Sequence, residues 1–141
     1  MSEKITKENA SNNVPTDQIV ATVVLWLEKQ CLQERWDISD EQICTLLGGI
    51  SVLTWNQWKE TAQSHKSLQV DQETIDRLAL LVDIDKMIRW SAPNGYGYDF
   101  FKRPINHPTF NSKSAKEFML ENHMLDDFIK VRNHFRSRVF F

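Results

Sequence analysis

The chain has 141 residues, of which 41% are hydrophobic and 26% are charged, and its formal net charge is −2. This balance is typical of a globular protein and excludes a disordered chain, and the length allows one ordinary hydrophobic core. Residues 1–66 carry six basic and nine acidic side chains and residues 67–141 carry eleven and ten, so neither half is basic enough to indicate a nucleic-acid-binding domain by charge alone.

The cysteines and the apolar stretches constrain the compartment. Cys31 and Cys44 lack the paired spacing of a zinc site and are typical of free cysteines in a reducing compartment. Residues 1–16 are polar and mixed in charge, unlike a secretory signal. The longest uncharged apolar stretch, residues 19–27, is far shorter than the roughly 20 residues of a membrane-spanning helix. We therefore expect a cytoplasmic protein without membrane attachment.

The first predicted elements are an arm and a helix. Residues 1–15 have the composition of a disordered arm that ends at Pro15. From Thr16 or Asp17 to about Gln33, apolar residues recur at helical spacing. These residues are Ile19, Val20, Val23, Val24, Leu27 and Cys31.

A short helix, a glycine turn and a second helix follow. Ser39 and Gln42 form a capping box that opens the short helix, and Gly48 and Gly49 end it. Ser51 then caps the second helix. The large or apolar residues of that helix are Leu53, Trp55, Trp58 and Ala62. This order is typical of a helix-turn-helix, although any helical hairpin with a glycine turn gives the same pattern.

A long helix and an irregular segment come next. Asp71 caps the long helix, and residues 92–98, which contain two glycines and a proline, end it. Residues 99–110 hold two further prolines, which predicts an irregular segment with one helical turn near Phe100.

A short helix and a last helix complete the prediction. Ser114 and Glu117 form a second capping box that opens the short helix, and Asn122 and His123 interrupt it. The last helix carries Leu125, Phe128, Ile129, Arg132 and Phe135. The sequence therefore predicts an all-α fold.

Two stretches of the chain resemble the Xre/MbcA/ParS antitoxins. The first is the run Leu-Leu-Gly-Gly-Ile-Ser at residues 46–51, followed by Thr54, Trp58 and Lys59. This stretch is similar to the family's Xre-type helix-turn-helix, in which a Gly-Gly turn precedes a recognition helix. The linking helix around residues 77–84 also resembles the family.

The second stretch is the more specific of the two, because it joins several unusual residues in a fixed order. It is similar to the family's C-terminal toxin-binding domain, where an arginine-proline, asparagine, proline loop precedes a small capped helix. The matching residues are Arg103, Pro104, Asn106, Pro108, Phe110, Ser114, Ala115, Glu117, Val131 and Arg132.

The resemblance implies an antitoxin of a type II toxin–antitoxin system that is not an enzyme and needs no cofactor. Its partner would be a RES-type toxin that destroys NAD, within a toxin–antitoxin hetero-oligomer or with the antitoxin as a homodimer. Residues 16–66 would form the Xre-like helix-turn-helix unit, and residues 67–141 the linking helix and the toxin-binding domain. The predicted toxin contacts are Arg103, Pro104, Asn106, Phe110, Arg132, Arg136, Arg138, Phe140 and Phe141.

The last four of these contacts are predicted from the composition of the C-terminal segment, residues 130–141. Residues 130–141 carry four basic side chains and no acidic one and end in Phe140 and Phe141. Cations near a helix C-terminus are ordinary partners of the helix dipole. An exposed pair of phenylalanines is an apolar liability, so we expect the tail to enter a groove of the toxin, to dimerise or to cover the protein's own core.

The alternative is a DNA-binding repressor of its own operon, with a C-terminal dimerisation domain. The candidate DNA contacts are Thr54, Asn56, Gln57 and Lys59. The family commonly has arginine where this chain has Val52 and Gln57. Arginine suits bidentate contacts with guanine and contacts with phosphate, so we expect only weak binding to operator DNA.

No pattern in the sequence indicates catalysis or a metal. The four histidines are scattered, and neither a glutamate at helical spacing nor a cysteine joins them. These residues are His65, His107, His123 and His134. The neighbouring acidic residues Asp126 and Asp127 point to different faces of a helix and are not a general acid–base pair.

Overall fold

The structure, a computed structural model, describes residues 16–139. Seven α-helices lie in this part of the chain: α1 (Thr16–Gln30), α2 (Asp40–Leu46), α3 (Val52–Gln63), α4 (Gln72–Ser91), α5 (Gly97–Lys102), α6 (Ala115–Glu121) and α7 (Leu125–Val139). A short 3₁₀ helix, Pro108–Phe110, lies between α5 and α6. The all-α prediction is confirmed. The predicted arm, residues 1–15, and the predicted contacts Phe140 and Phe141 lie outside the described residues.

Four helices begin at the caps that the sequence predicts. The side chains of Ser39, Ser51, Asp71 and Ser114 each accept a hydrogen bond from the backbone N–H three residues later. At Ser39 and Ser114 the capping box is complete, because the side chain of the third residue accepts the N–H of the cap in return. Each such cap stabilises its helix by about 1 kcal/mol, so the boundaries at these ends follow from local chemistry.

Helix α1 ends earlier than predicted, at Gln30 rather than near Gln33. The chain then turns tightly, and the Trp36 N–H donates to the Gln30 carbonyl over 2.9 Å. This turn brings Trp36 into the core, where its ring stacks on Phe101 with the centroids 4.4 Å apart. Burial of a large aromatic ring outweighs one further helical turn, because that burial removes more apolar area from water.

Helix α4 is the central element of the core. It packs most extensively against α7 and also contacts α1 and α5, while α1 packs on α3. Buried residues from all seven helices form one hydrophobic cluster. The helices on both sides of the predicted boundary near residue 66 therefore contribute to the same described core.

Arg77 fixes the turn between α2 and α3 against the rest of the molecule. Its buried guanidinium donates to the carbonyls of Leu46, at 3.3 Å, and His123, at 2.7 Å, and pairs with the Glu73 carboxylate. Gly48, with φ of 98°, leaves room for this side chain, since a Cβ there would lie 3.1 Å from the Arg77 Nε. One buried cation thus joins α4 to the glycine turn and to the connection between α6 and α7.

Candidate interaction cleft

A closed loop between α5 and α6 positions the motif residues that the sequence singles out. An isolated antiparallel bridge joins Pro104 to Ser114, and the Ile105 N–H donates to the Lys113 carbonyl over 3.0 Å. Inside the loop, the His107 ring accepts the Thr109 N–H at Nδ1, which caps the 3₁₀ helix. The loop therefore has a defined conformation that is set by its own hydrogen bonds.

A cleft of about 260 Å³ separates this loop from α7. Its lining combines cationic and amide side chains with aromatic and aliphatic ones. The lining residues are Phe100, Arg103, Pro104, Ile105, Asn106, His134, Phe135 and Arg138. We call this feature the loop–α7 cleft.

Four of the predicted toxin contacts line the loop–α7 cleft. Arg103, Pro104 and Asn106 come from the loop, and Arg138 comes from the last turn of α7. Arg138 lies 32 positions after Asn106, the last of the three loop residues. The structure brings them together because α7 folds back along α4 and ends beside the loop.

Other predicted contacts lie elsewhere. Arg132 faces a different shallow depression on α4 and α7, with its guanidinium 3.9 Å from the Asp83 carboxylate. Arg136 is exposed near the end of α7. The structure therefore does not place these two arginines among the residues that line the loop–α7 cleft.

Phe110 lies in the core, with 2% of its surface exposed. Its ring meets Phe118 edge-on, with the centroids 4.8 Å apart, and it contacts the ring of His134 at 5.2 Å. In this conformation the ring offers no surface to a partner. It packs against His134, which lines the cleft.

The two arginines of the loop–α7 cleft differ in their surroundings. Arg103 pairs with the Asp99 carboxylate and lies over the Phe100 ring, with 4.5 Å between the guanidinium carbon and the ring centroid. Among residues 16–139, no carboxylate lies within ion-pair distance of Arg138. The cleft therefore carries an excess of positive charge that its own lining does not neutralise.

Two histidines that appear scattered in the sequence meet beside this cleft. The rings of His107 and His134 are 5.7 Å apart, centroid to centroid. Burial lowers the pKa of His134, and the positive charges of Arg138 and His107 lower it further. Sequence reasoning missed this pair, because the two residues lie on different elements and no spacing rule connects them.

The predicted DNA contacts lie on α3, and they are not equally available. Asn56 and Gln57 are exposed. Lys59 is mostly covered, with its ammonium 3.5 Å from the Asp40 carboxylate and 5.4 Å from the centre of the Trp55 ring. Thr54 accepts a hydrogen bond from the Ser51 hydroxyl at the cap of the helix. The only cation among the four candidates is thus already paired within the protein.

Residues 16–139 contain no group of three or more His, Cys, Asp or Glu side chains that could hold a metal ion. Within the same residues, no helix is both long enough and apolar enough to cross a bilayer. Burial raises the pKa of the Cys31 thiol to about 12, which leaves it protonated and unreactive at neutral pH.

Comparison of the chain with models of known protein families, with curated proteins and with solved structures finds no match.

Proposed function

We propose that this protein is an antitoxin that binds and neutralises a RES-type, NAD-consuming toxin, and that residues 67–141 make the contact. One observation carries the proposal: Arg103, Pro104, Asn106 and Arg138, which come from two distant stretches of the chain, line one cleft. A cationic and apolar concave surface of this kind is typical of a protein–protein contact with an arginine anchor.

The proposed action is occlusion rather than catalysis. The rigid loop and the end of α7 dock on the toxin and keep NAD from its active site. The loop needs little ordering on binding because its own hydrogen bonds fix it, and this lowers the entropic cost of association. The complex would be a cytoplasmic hetero-oligomer, with the antitoxin present as one copy or as a homodimer.

The test measures binding and neutralisation of the toxin encoded beside the gene for this chain. Arg138→Ala and Asn106→Ala should weaken toxin binding in titration calorimetry and restore NAD loss in cells that express both proteins. Lys130→Ala is the matched control, since Lys130 is an exposed cation on the same helix, paired with Asp127, and does not line the cleft. Equal binding by the wild type and both cleft variants would contradict the proposal.

The alternative, a DNA-binding repressor, has weaker support. The capped helix after the Gly-Gly turn and the exposed Asn56 and Gln57 favour it. The pairing of Lys59 with Asp40 opposes it, because phosphate neutralisation supplies most of the affinity for DNA. A mobility shift with the upstream DNA at physiological salt distinguishes the two, and nanomolar binding would favour the repressor.

A further inference from the structure

We propose that the loop–α7 cleft receives a carboxylate of the partner, presented beside an apolar side chain, so that the toxin segment that docks there is acidic. This inference rests on the proposed function and adds the chemistry of the partner.

The positive charge of the cleft favours an anionic group of the partner. Its two charged lining residues are both arginines, and no carboxylate lines it. Arg138 has no ion pair within residues 16–139, and Arg103 shares one carboxylate, Asp99, that lies outside the cleft. A guanidinium fork binds a carboxylate in a bidentate manner, and Asn106 adds amide donors.

The apolar residues of the lining favour an apolar side chain of the partner next to that anion. Phe100, Ile105 and Phe135 line the same cavity as the arginines. Ligand pockets for whole small molecules begin at about 300 Å³. At about 260 Å³ the cleft suits one or two side chains of a protein better than a free dinucleotide. An acidic residue next to an apolar one matches both the cationic and the apolar residues of this lining.

His134, which lines the cleft, should make binding of the carboxylate depend on pH. His134 faces Arg138 on its own helix and His107 on the loop, while Arg103, which pairs with Asp99 outside the cleft, lines the same cavity. Burial lowers the pKa of His134, and the charges of Arg138 and His107 lower it further. A bound carboxylate would oppose that effect and raise the pKa of His134. Since the complex then binds more protons than the free protein, binding should strengthen as the pH falls through the titration range of histidine.

The first experiment uses a short peptide and does not depend on the toxin. The probe is a capped peptide of alternating glutamate and phenylalanine, titrated into the full chain while NMR follows the His134 Cε1–H signal across pH. We expect the His134 midpoint to move upward with this peptide and to stay unchanged with the matching glutamine peptide. No movement with the glutamate peptide would overturn the inference. An equal movement with inorganic phosphate would also overturn it, since the cleft would then be a site for any free anion.

The second experiment measures the affinity of the toxin for charge variants. Arg138→Gln should weaken binding at least tenfold and Arg138→Glu more strongly, while Lys130→Glu, on the same helix but outside the cleft, should leave the affinity close to that of the wild type. Circular dichroism checks that each variant is folded. Wild-type affinity should also fall as the pH rises from about 5.5 to about 7.5, and His134→Gln should flatten that dependence.

The two failures are distinguishable. If wild-type protein does not bind the toxin, the proposed function is wrong whatever the peptide does. If the wild type binds the toxin and Arg138→Glu binds it equally well, the toxin does not place a carboxylate in the cleft, and the inference alone is wrong.

Discussion

The hairpin of α2 and α3 and the loop–α7 cleft both carry motif residues and both hold cations, but the cations have different neighbours. In the hairpin, Lys59 lies against Asp40 and Trp55 and is mostly covered. In the cleft, Arg138 is exposed and has no carboxylate within ion-pair distance among residues 16–139. An incoming anion would gain a new partner at Arg138, whereas at Lys59 it would first have to displace an existing one.

This difference indicates which surface is prepared for binding. The Asp40 carboxylate of the Lys59 pair is about half exposed, and ion pairs open to solvent contribute only about 0–1 kcal/mol to stability, so this pair is a modest obstacle rather than an absolute one. The stronger contrast is the concave shape beside Arg138, where Phe100 and Phe135 line the same cavity and electrostatic attraction is stronger next to apolar surface of low dielectric constant.

The largest effect, on the free energy of unfolding, should come from the buried ring of Phe110, which packs against His134 of the cleft. Phe110→Ala should lower the free energy of unfolding by about 3–5 kcal/mol, because it leaves a cavity between Phe118 and His134. Phe110→Leu, the control, retains most of the volume and should cost far less. Denaturant unfolding followed by circular dichroism measures both. A loss below 1 kcal/mol for the alanine variant, together with weaker toxin binding, would assign Phe110 to the partner contact after all.

The next effect concerns the glycine turn of the hairpin. Gly48 and Gly49 have φ of 98° and 88°, so an alanine at either position is strained by about 1–2 kcal/mol. At Gly48 the new Cβ would also lie 3.1 Å from the Arg77 Nε, whereas at Gly49 it meets nothing within 4 Å. Gly48→Ala should therefore destabilise the protein more than Gly49→Ala in thermal unfolding. Equal losses would show that Arg77 moves aside freely.

The features that could be predicted from the sequence are the local ones. The caps at Ser39, Ser51, Asp71 and Ser114 and the turn at Gly48 depend on residues within a few positions of each other. Helix propensity and capping act over that range, so the all-α class and most helix starts are correct. The end of α1 was wrong because burial of Trp36, a tertiary effect, decides it.

The candidate site could be predicted only in part. The loop residues Arg103, Pro104 and Asn106 form a recognisable run, but their proximity to Arg138 depends on how α7 packs on α4. Local sequence patterns do not determine which aromatic or histidine side chains tertiary packing will bury. For this reason Phe110 was expected at a contact surface, and the meeting of His107 with His134 was not anticipated.

A smaller effect is expected on DNA binding through the hairpin. Asp40→Asn removes one acid and releases Lys59, while its side-chain oxygen still accepts the Trp55 indole N–H. If Lys59 then contacts a phosphate, the slope of log affinity against log salt should steepen by about 0.9. Fluorescence anisotropy with a labelled duplex measures this slope, and Asp40→Asn combined with Lys59→Ala is the control. A wild-type protein that already shows the steeper slope would indicate that the Asp40 pair does not restrain Lys59.

The smallest effect is a pH dependence of stability that belongs to the cleft. Burial, Arg138 and His107 lower the pKa of His134 in the folded protein, so the unfolded chain binds the proton first as the pH falls. The free energy of unfolding should therefore decrease as the pH drops below the ordinary histidine value of about 6.5 and continue to decrease until folded His134 is itself protonated.

His134→Gln removes this contribution and should show a shallower decrease, while His123→Gln, a change at an exposed histidine, should behave like the wild type. Arg138→Gln should also make the decrease shallower, because it removes one of the charges that oppose protonation. Urea unfolding at several pH values measures the slopes. Identical slopes for the wild type and His134→Gln would mean that the cleft does not act on His134, and the contrast with the hairpin would then rest on the ion pairs alone.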